Sequence, residues 1–333
     1  MKKPDWKAAV APFEAPSRWR SFVQLGNTLI PYLLLMAAMY FTMGISYWIT
    51  LLLAIPAAGF MVRTFIIFHD CGHNAFFRSK RANRITEFFT GLLVFMPAQS
   101  WSRNHAKHHA TSGDLDRRGT GDIWTLTVRE YRELSTWNRF VYRVYRNPLI
   151  LLIPGPLYLF IIDGRYWNSR TDARQRWAIM ITNIAIAGLI TLAAFTIGIK
   201  TYLLLQLPVL MIAGAGGIWL FYVQHQFDGT YWERHENWDF LRQALTGASF
   251  YKLPRILQWF SGNIGFHHVH HLSPRIPNYF LEKCHKSNEM FRSVKALTLR
   301  ESLRAGRLHL WDEEKRRLVG FNSVGLKMRK SEL

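Results

Sequence analysis

The chain has 333 residues, 49% of them hydrophobic, and its 42 Lys and Arg outnumber 22 Asp and Glu to give a formal net charge of +20. A soluble protein this basic would point to nucleic acid. Here the positive residues flank long apolar runs, so nucleic acid is excluded in favour of anionic lipid headgroups. Two cysteines, Cys71 and Cys284, imply no disulfide framework and suit a reducing compartment.

Residues 1–24 are polar and basic with scattered Trp, Phe and Pro, and are expected as a cytosolic lead-in lying partly on a membrane. They show no short apolar core followed by a cleavage site, so no secretory signal is expected. Thr28–Met43 and Ile45–Phe68 are apolar almost throughout, broken only by a Gly44 turn and by Arg63. A bilayer core takes about 20 helical residues, so residues 28–68 predict a transmembrane hairpin. Its turn lacks Lys and Arg, whereas Arg78, Lys80, Arg81 and Arg84 follow the second span. The positive-inside rule then puts both hairpin ends in the cytoplasm.

Phe88–Ala98 and Leu149–Ile162 are apolar but short, and the second contains Pro154 and Pro156. Residues 69–147 otherwise read as part of a cytosolic cap. After Arg165, Arg170, Arg174 and Arg176, Trp177–Ile199 and Tyr202–Tyr222 predict a second hairpin over 177–222, with Lys200 in its turn. Residues 223–333 return to polar composition and end on a basic stretch that includes Lys315, Arg316, Arg317, Lys327, Arg329 and Lys330.

Histidines punctuate this frame. His267, His268, His270 and His271 are four in five residues; His105, His108 and His109 repeat the spacing; His69 and His73 are four apart. On a helix, positions i, i+3 and i+4 share a face. His267, His270 and His271 therefore project together and His268 points elsewhere. Imidazole is a ligand for transition metals. One structural zinc needs four ligands, so eight histidines predict two metals. His225, at the end of the last span, is a ninth candidate, although a lone span-end histidine is often only a satisfied polar residue. If the boxes build one site, the span count between any two must be even. The 88–98 and 149–162 segments then cannot cross alone and are expected as interfacial or re-entrant helices. The expected fold is an all-α integral membrane protein: four transmembrane helices in two hairpins, interfacial helices, and a cytosolic helical cap carrying the metal site, in a single domain over 1–333.

Ligating imidazoles usually donate their second N–H to a carboxylate or carbonyl. Asp70, Asp114, Asp116, Asp228 and Asp239 are the candidates. Cys71 reads as a small packed residue and His235, His268, His285 and His309 as non-ligands. Asn263 reads as a helix cap, with a water-mediated metal contact as the alternative. Ser273, Pro274 and Pro277 predict that the last box's helix stops just after His271. Arg275 beyond it would meet a phospholipid or a donor's acidic surface, or simply pair with a cap carboxylate.

These residues resemble the membrane fatty acid desaturases, with their boxes HxxxH, HxxHH and HxxHH, and most closely the bacterial acyl-lipid members. The likeness runs from Phe68-His69-Asp70-Cys71-Gly72-His73 to Leu310-Trp311-Asp312-Glu313. It is most specific at His108–Asp116, Trp219–His225 and His270–Tyr279. The resemblance implies a di-iron centre held by His69, His73, His105, His108, His109, His225, His267, His270 and His271, with dioxygen as co-substrate. It implies a cis double bond introduced into phospholipid acyl chains, Δ5 before Δ12 or Δ9. The His-Pro-Gly-Gly signature of a fused cytochrome b5 domain is absent, so a ferredoxin- or flavodoxin-type donor is implied. The expected place is the inner cell membrane, multi-pass, with the metals on the cytoplasmic face. Related histidine-box proteins are hydroxylases or ketolases, which is the nearest enzymatic alternative. A metal transporter would carry its ligands near the bilayer midplane, whereas these boxes fall at span ends or beyond.

Overall fold

The computed structural model describes residues 5–167 and 171–324. Arg170, Lys327, Arg329 and Lys330 lie outside the described residues. Among the described residues, four helices are long and apolar enough to cross a membrane: α1 (Arg18–Thr42), α2 (Tyr47–Gly72), α5 (Ala173–Thr196) and α6 (Ile199–His225). Between them lie α3 (Lys80–Leu93) and α4 (Ala98–Thr111), and after them α7 (His267–Leu272) and α8 (Asn278–Ser287). The protein is a mainly helical membrane protein. Large apolar side chains on the spans stay uncovered, among them Trp48 at 77% and Phe195 at 87% exposure. Patches of that size are tolerated where lipid covers them.

Each span runs past the apolar run that predicts it. α1 starts at Arg18, ten residues before the expected boundary, because Ser17 caps it by accepting from Arg20 N. Its first turns are polar, which hides them from a hydropathy reading. α2 continues beyond Phe68 to Gly72 and carries the first box out of the apolar zone. In the second hairpin Gly198 takes φ +84°, a conformation open to glycine at little cost, so the turn is tight and Lys200 falls in the first turn of α6.

α1, α2 and α6 share a core of Tyr32, Met39, Ala54, Ala57, Ala58, Met61, Val209 and Leu210. The alanines let the helices approach closely, the usual device where lipid provides no hydrophobic drive. The two hairpin turns lie at one end of the bundle, and His69 and His225 lie at the other. The 149–162 segment is a broken succession of Pro148–Leu152, Pro154–Leu157 and a π-helical Tyr158–Ile162, each too short to span. The 88–98 run is the end of α3, a turn at Phe95, and the start of α4.

Three parts of the cap differ from expectation. First, it is not wholly helical. β1 (Leu126–Thr127), β4 (Leu310–Asp312) and β5 (Arg317–Val319) form one sheet in the order β1-β4-β5, and β2 (Phe250–Lys252) pairs in parallel with β3 (Ala296–Thr298). Strands of two or three residues leave no readable alternation. Second, the lead-in is part of the cap, because Trp6, Val10 and Phe13 pack into the core around Val269, Leu281 and Phe291. Third, the short helix Arg255–Phe260 leaves the polar zone and lies beside α2. A Cβ at Gly59 would sit 2.8 Å from the Phe260 ring, and Phe60 packs edge-on against Trp259 and Phe260. Gly59 is ten residues before His69, about 15 Å down the helix at 1.5 Å per residue. Arg63 fixes this dip: its guanidinium donates to the Trp259 carbonyl, stacks 4.0 Å over the Trp259 ring, and Nε donates to Thr28 Oγ1 at 3.1 Å. A buried cation in a span thereby meets oxygen and π partners without a carboxylate.

Arg146 docks the cap on the spans. It is fully buried and donates to the carbonyls of Trp124 and Leu308, to Thr125 Oγ1, to Tyr222 Oη and to Gln226 Oε1, at 2.8–3.1 Å. Two of these acceptors, Tyr222 and Gln226, flank His225.

Candidate metal centre

All nine candidate histidines converge at the bundle end remote from the turns. His69 is in the last turn of α2 and His73 is its C-cap residue. His105, His108 and His109 come from α4, His225 ends α6, and His267, His270 and His271 come from α7. They form two groups. His69, His73, His105, His109 and His270 make one; His108, His225, His267 and His271 make the other. In each group the ligand-capable atoms lie within 4.8 Å of one another.

Adjacent Nε2 atoms are 3.0–3.1 Å apart, in the pairs His69–His105, His105–His109, His109–His270, His108–His225 and His225–His267. For metal–nitrogen bonds of about 2.1 Å, ligands at right angles around one ion sit about 3.0 Å apart. The spacing is that of neighbouring coordination positions. His73 Nε2 and both ring nitrogens of His271 are buried with no hydrogen-bond partner. An orphaned buried polar atom costs about 1–3 kcal/mol, and a cation at each group's centre would satisfy the inward ones. The donor set therefore fits two metal ions, and all-imidazole donors suit a transition metal. Burial, reinforced by neighbouring histidines, pushes His73, His105, His109, His267, His270 and His271 well below the usual imidazole range. Neutral imidazole is the form that ligates.

The outer contacts are unequal. His69 Nδ1 donates to Asp70 Oδ1 (3.1 Å), and Asp70 Oδ2 accepts from Asn278 N and Nδ2 at 2.7 and 2.8 Å. Asp70 thus ties box one to the start of α8. His108 Nδ1 donates to Asp122 Oδ1 at 2.6 Å, and His225 Nδ1 to the Gly247 carbonyl at 3.3 Å. Asp122 was not among the carboxylates expected, since a loop folding back on α4 leaves no fixed spacing to read. Of those expected besides Asp70, Asp114 instead accepts from His235 Nδ1, Asp116 from Arg234 and His235 N, and Asp239 caps Arg242 N. Aromatic rings close the membrane side: Trp101 stacks on His105 at 4.4 Å, and Phe221 lies 5.3 Å from His108.

His268 points away from both groups, with Nε2 3.0 Å from His285 Nδ1. Cys71 is packed among Ile67, Phe76 and Phe77. α7 stops at Leu272, with Ser273 extended. Asn263, by contrast, is neither a cap nor a metal neighbour. It takes φ +60° in the loop before α7, whose N-cap is Phe266, and its Nδ2 donates to the Asn278 carbonyl at 3.2 Å. Arg275 is 74% exposed and lies 3.7 Å from Glu14, so it takes the ion-pair option.

Fold and site define an integral membrane protein with two histidine groups able to bind metal at one end of its spans. The fatty acid desaturase family model matches residues 46–295. A fatty acid desaturase of Bacillus subtilis (strain 168) is 46% identical over 315 residues, covering 95% of this chain and 90% of that protein. An endoplasmic reticulum omega-3 fatty acid desaturase of Vigna radiata is 26% identical over 76% of this chain and 67% of its own length. The sn-1 acyl-lipid omega-3 desaturase (ferredoxin) of Synechocystis is 25% identical over 66% of this chain and 61% of its own. The chain belongs to the fatty acid desaturase family, and it is an oxidoreductase of that class.

Proposed function

We propose that this desaturase introduces a cis double bond into acyl chains of membrane phospholipids, using dioxygen and two electrons at a histidine-held pair of irons. The reaction balances as R–CH2–CH2–R′ + O2 + 2e− + 2H+ → R–CH=CH–R′ + 2H2O. The observation that carries the reading is the pair of histidine groups with Nε2 atoms 3.0–3.1 Å apart at the end of apolar spans. An alkane C–H offers no acidity for a side-chain base, so bound iron would supply the oxidising power. The chain's own residues hold and orient that iron and keep its surroundings dry. The nine histidines are the proposed ligands: five for one ion and four for the other. Asp70 and Asp122 fix two ring orientations and tautomers. Trp101 packs against His69 and His105, with Phe65 and Phe68 packed against Trp101 in turn, and this aromatic layer excludes water on the lipid side.

The Synechocystis relative, an sn-1 acyl-lipid desaturase named for ferredoxin, supports a glycerolipid-bound substrate and a ferredoxin donor. A flavodoxin-type carrier is the second donor class, and Δ5 is the first position to test. The location is proposed as the cell membrane, and the distribution of Arg and Lys supports placing the histidines on its cytoplasmic side. Two measurements test the reading: metal analysis of active protein, expected at two irons per chain, and fatty-acid methyl ester analysis of expressing cells. A hydroxylated product, or active protein carrying zinc alone, would refute it.

A further inference from the structure

Box two occupies one face of α4, and the opposite face is open. Arg103, Asn104, Ala106, Lys107 and Ala110 are exposed, whereas His105, His108 and His109 are buried. Residues 103, 107 and 110 follow helical spacing and form one stripe. Two of its side chains are basic, and the small Ala106 and Ala110 keep the stripe low. A helix with its side chains is about 10–12 Å across. A body resting here lies one helix thickness from both histidine groups, because His105 and His109 belong to one and His108 to the other.

A second route meets the same surface. The loop over 117–121 crosses α4 at Gly121, where a Cβ would lie 3.1 Å from His108 Cβ and 3.2 Å from the Asn104 carbonyl oxygen. This loop presents Arg117, 56% exposed. Gly119 N donates to Asp122 Oδ2 at 3.3 Å, while Asp122 Oδ1 accepts from His108 at 2.6 Å. Surface backbone, buried carboxylate and inner imidazole are thus joined in series by hydrogen bonds.

We propose that the outer stripe of α4 and the 117–121 loop form the docking surface for an acidic one-electron carrier protein. The inference rests on the desaturase reading above, which needs two electrons from outside the chain. Charge complementarity selects the partner: Arg103, Lys107 and Arg117 surround the shortest hydrogen-bonded approach to His108, and Asp172, beside Arg103, is already paired with it. Arg117 also faces the Asp114 carboxylate at 3.9 Å, so Lys107 is the cation of this surface with no ion-pair partner among the described residues.

The test uses full-length protein in phosphatidylcholine nanodiscs and a reduced acidic ferredoxin. Reversing both charges, Lys107→Glu with Arg117→Glu, is expected to raise the ferredoxin KM about tenfold at low salt and flatten its salt dependence. The kcat at saturating ferredoxin and the bound iron should stay near wild type. Lys283→Glu, on exposed α8, should behave as wild type. Independently of turnover, carbodiimide should cross-link the Lys107 amine of the unmutated protein to ferredoxin carboxylates. Unchanged KM together with no cross-link at Lys107 would overturn the proposal. So would an intact ferredoxin KM with lost binding to phosphatidylglycerol vesicles, which would make the stripe a lipid contact. Desaturation driven by dithionite and methyl viologen bypasses the carrier: wild-type failure there refutes the desaturase reading itself, and success in the double variant leaves the defect at docking.

Discussion

Asp122 offers the sharpest test of how the site is held. Its carboxylate and the His108 ring are both nearly inaccessible, with side-chain exposures of 6% and 1%, so water screens their 2.6 Å contact little. Losing an outer partner of a ligating histidine typically costs 10–100-fold in metal affinity, about 1.4–2.7 kcal/mol. The short buried geometry places Asp122→Ala in the upper half of that range. Asp122→Asn keeps a neutral acceptor, and charge-assisted bonds are roughly twice as strong as neutral ones. Its loss should be about half, near 0.7–1.4 kcal/mol or 3–10-fold. Only the His108 group, with four histidines, feels the change directly; the group built on His69 has five. Titrating the purified protein with a chelator of known affinity, and following residual iron by mass spectrometry, should give a curve in which only one of two steps moves. Asp122→Ala should therefore drop to about one iron per chain before the wild type loses either. Equal loss of both irons, or no shift in Asp122→Ala, would refute the reasoning.

Further outcomes follow from other contacts. His268→Ala should keep both irons and desaturation, while the lost His285 contact lowers unfolding stability by about 1–3 kcal/mol; an inactive, well-inserted variant would put His268 among the functional groups. Arg146→Met removes the donor shared by five acceptors, of which the Leu308 carbonyl keeps Tyr222 Oη and Thr125 Oγ1 keeps Gln226 Nε2, and should destabilise the cap by about 3–5 kcal/mol, seen as a lower melting temperature and faster proteolysis of the cap. Arg275→Ala breaks an exposed ion pair worth about 0–1 kcal/mol, so product levels at matched protein should equal wild type. Single-cysteine reporters at the exposed positions 44 and 200 should react only from outside the cell, and one at 117 only from inside; an outside-reactive 117 would overturn the even count of spans between boxes.

The membrane frame was legible because its physics is one-dimensional. A span needs a long apolar run, and an even number of spans must separate boxes that share a site. The eight box histidines were legible because spacings of three and four survive in the sequence as a helical face, whereas His225, a lone histidine at a span end, stood out only through the family resemblance. What escaped depends on chain closure. Asp122 reaches His108 through a loop whose length fixes no geometry. The dip of Arg255–Phe260 beside Gly59 is too short for any periodicity, and its anchor, Arg63, lies nearly two hundred positions away. Asn263 sits four residues before His267, which looks like a cap on a wheel, but a left-handed turn intervenes. The first turns of α1 are polar and gain their helical state from Ser17 and from packing, not from hydropathy.

The order in which the histidines occur along the chain sets the order in which the centre can be made. His69 to His109 emerge early, His225 only as the fourth span is completed, and His267 to His271 later still. Neither group is complete before residue 270 has left the ribosome, since one needs His270 and the other His267 and His271. All four spans, which end at His225, have been synthesised by then. Biogenesis therefore has two stages: the hairpins enter the membrane on the strength of their own apolar surface, and metal acquisition waits for the cap to fold over them. A chain truncated before the last box would insert normally and still be unable to assemble either group.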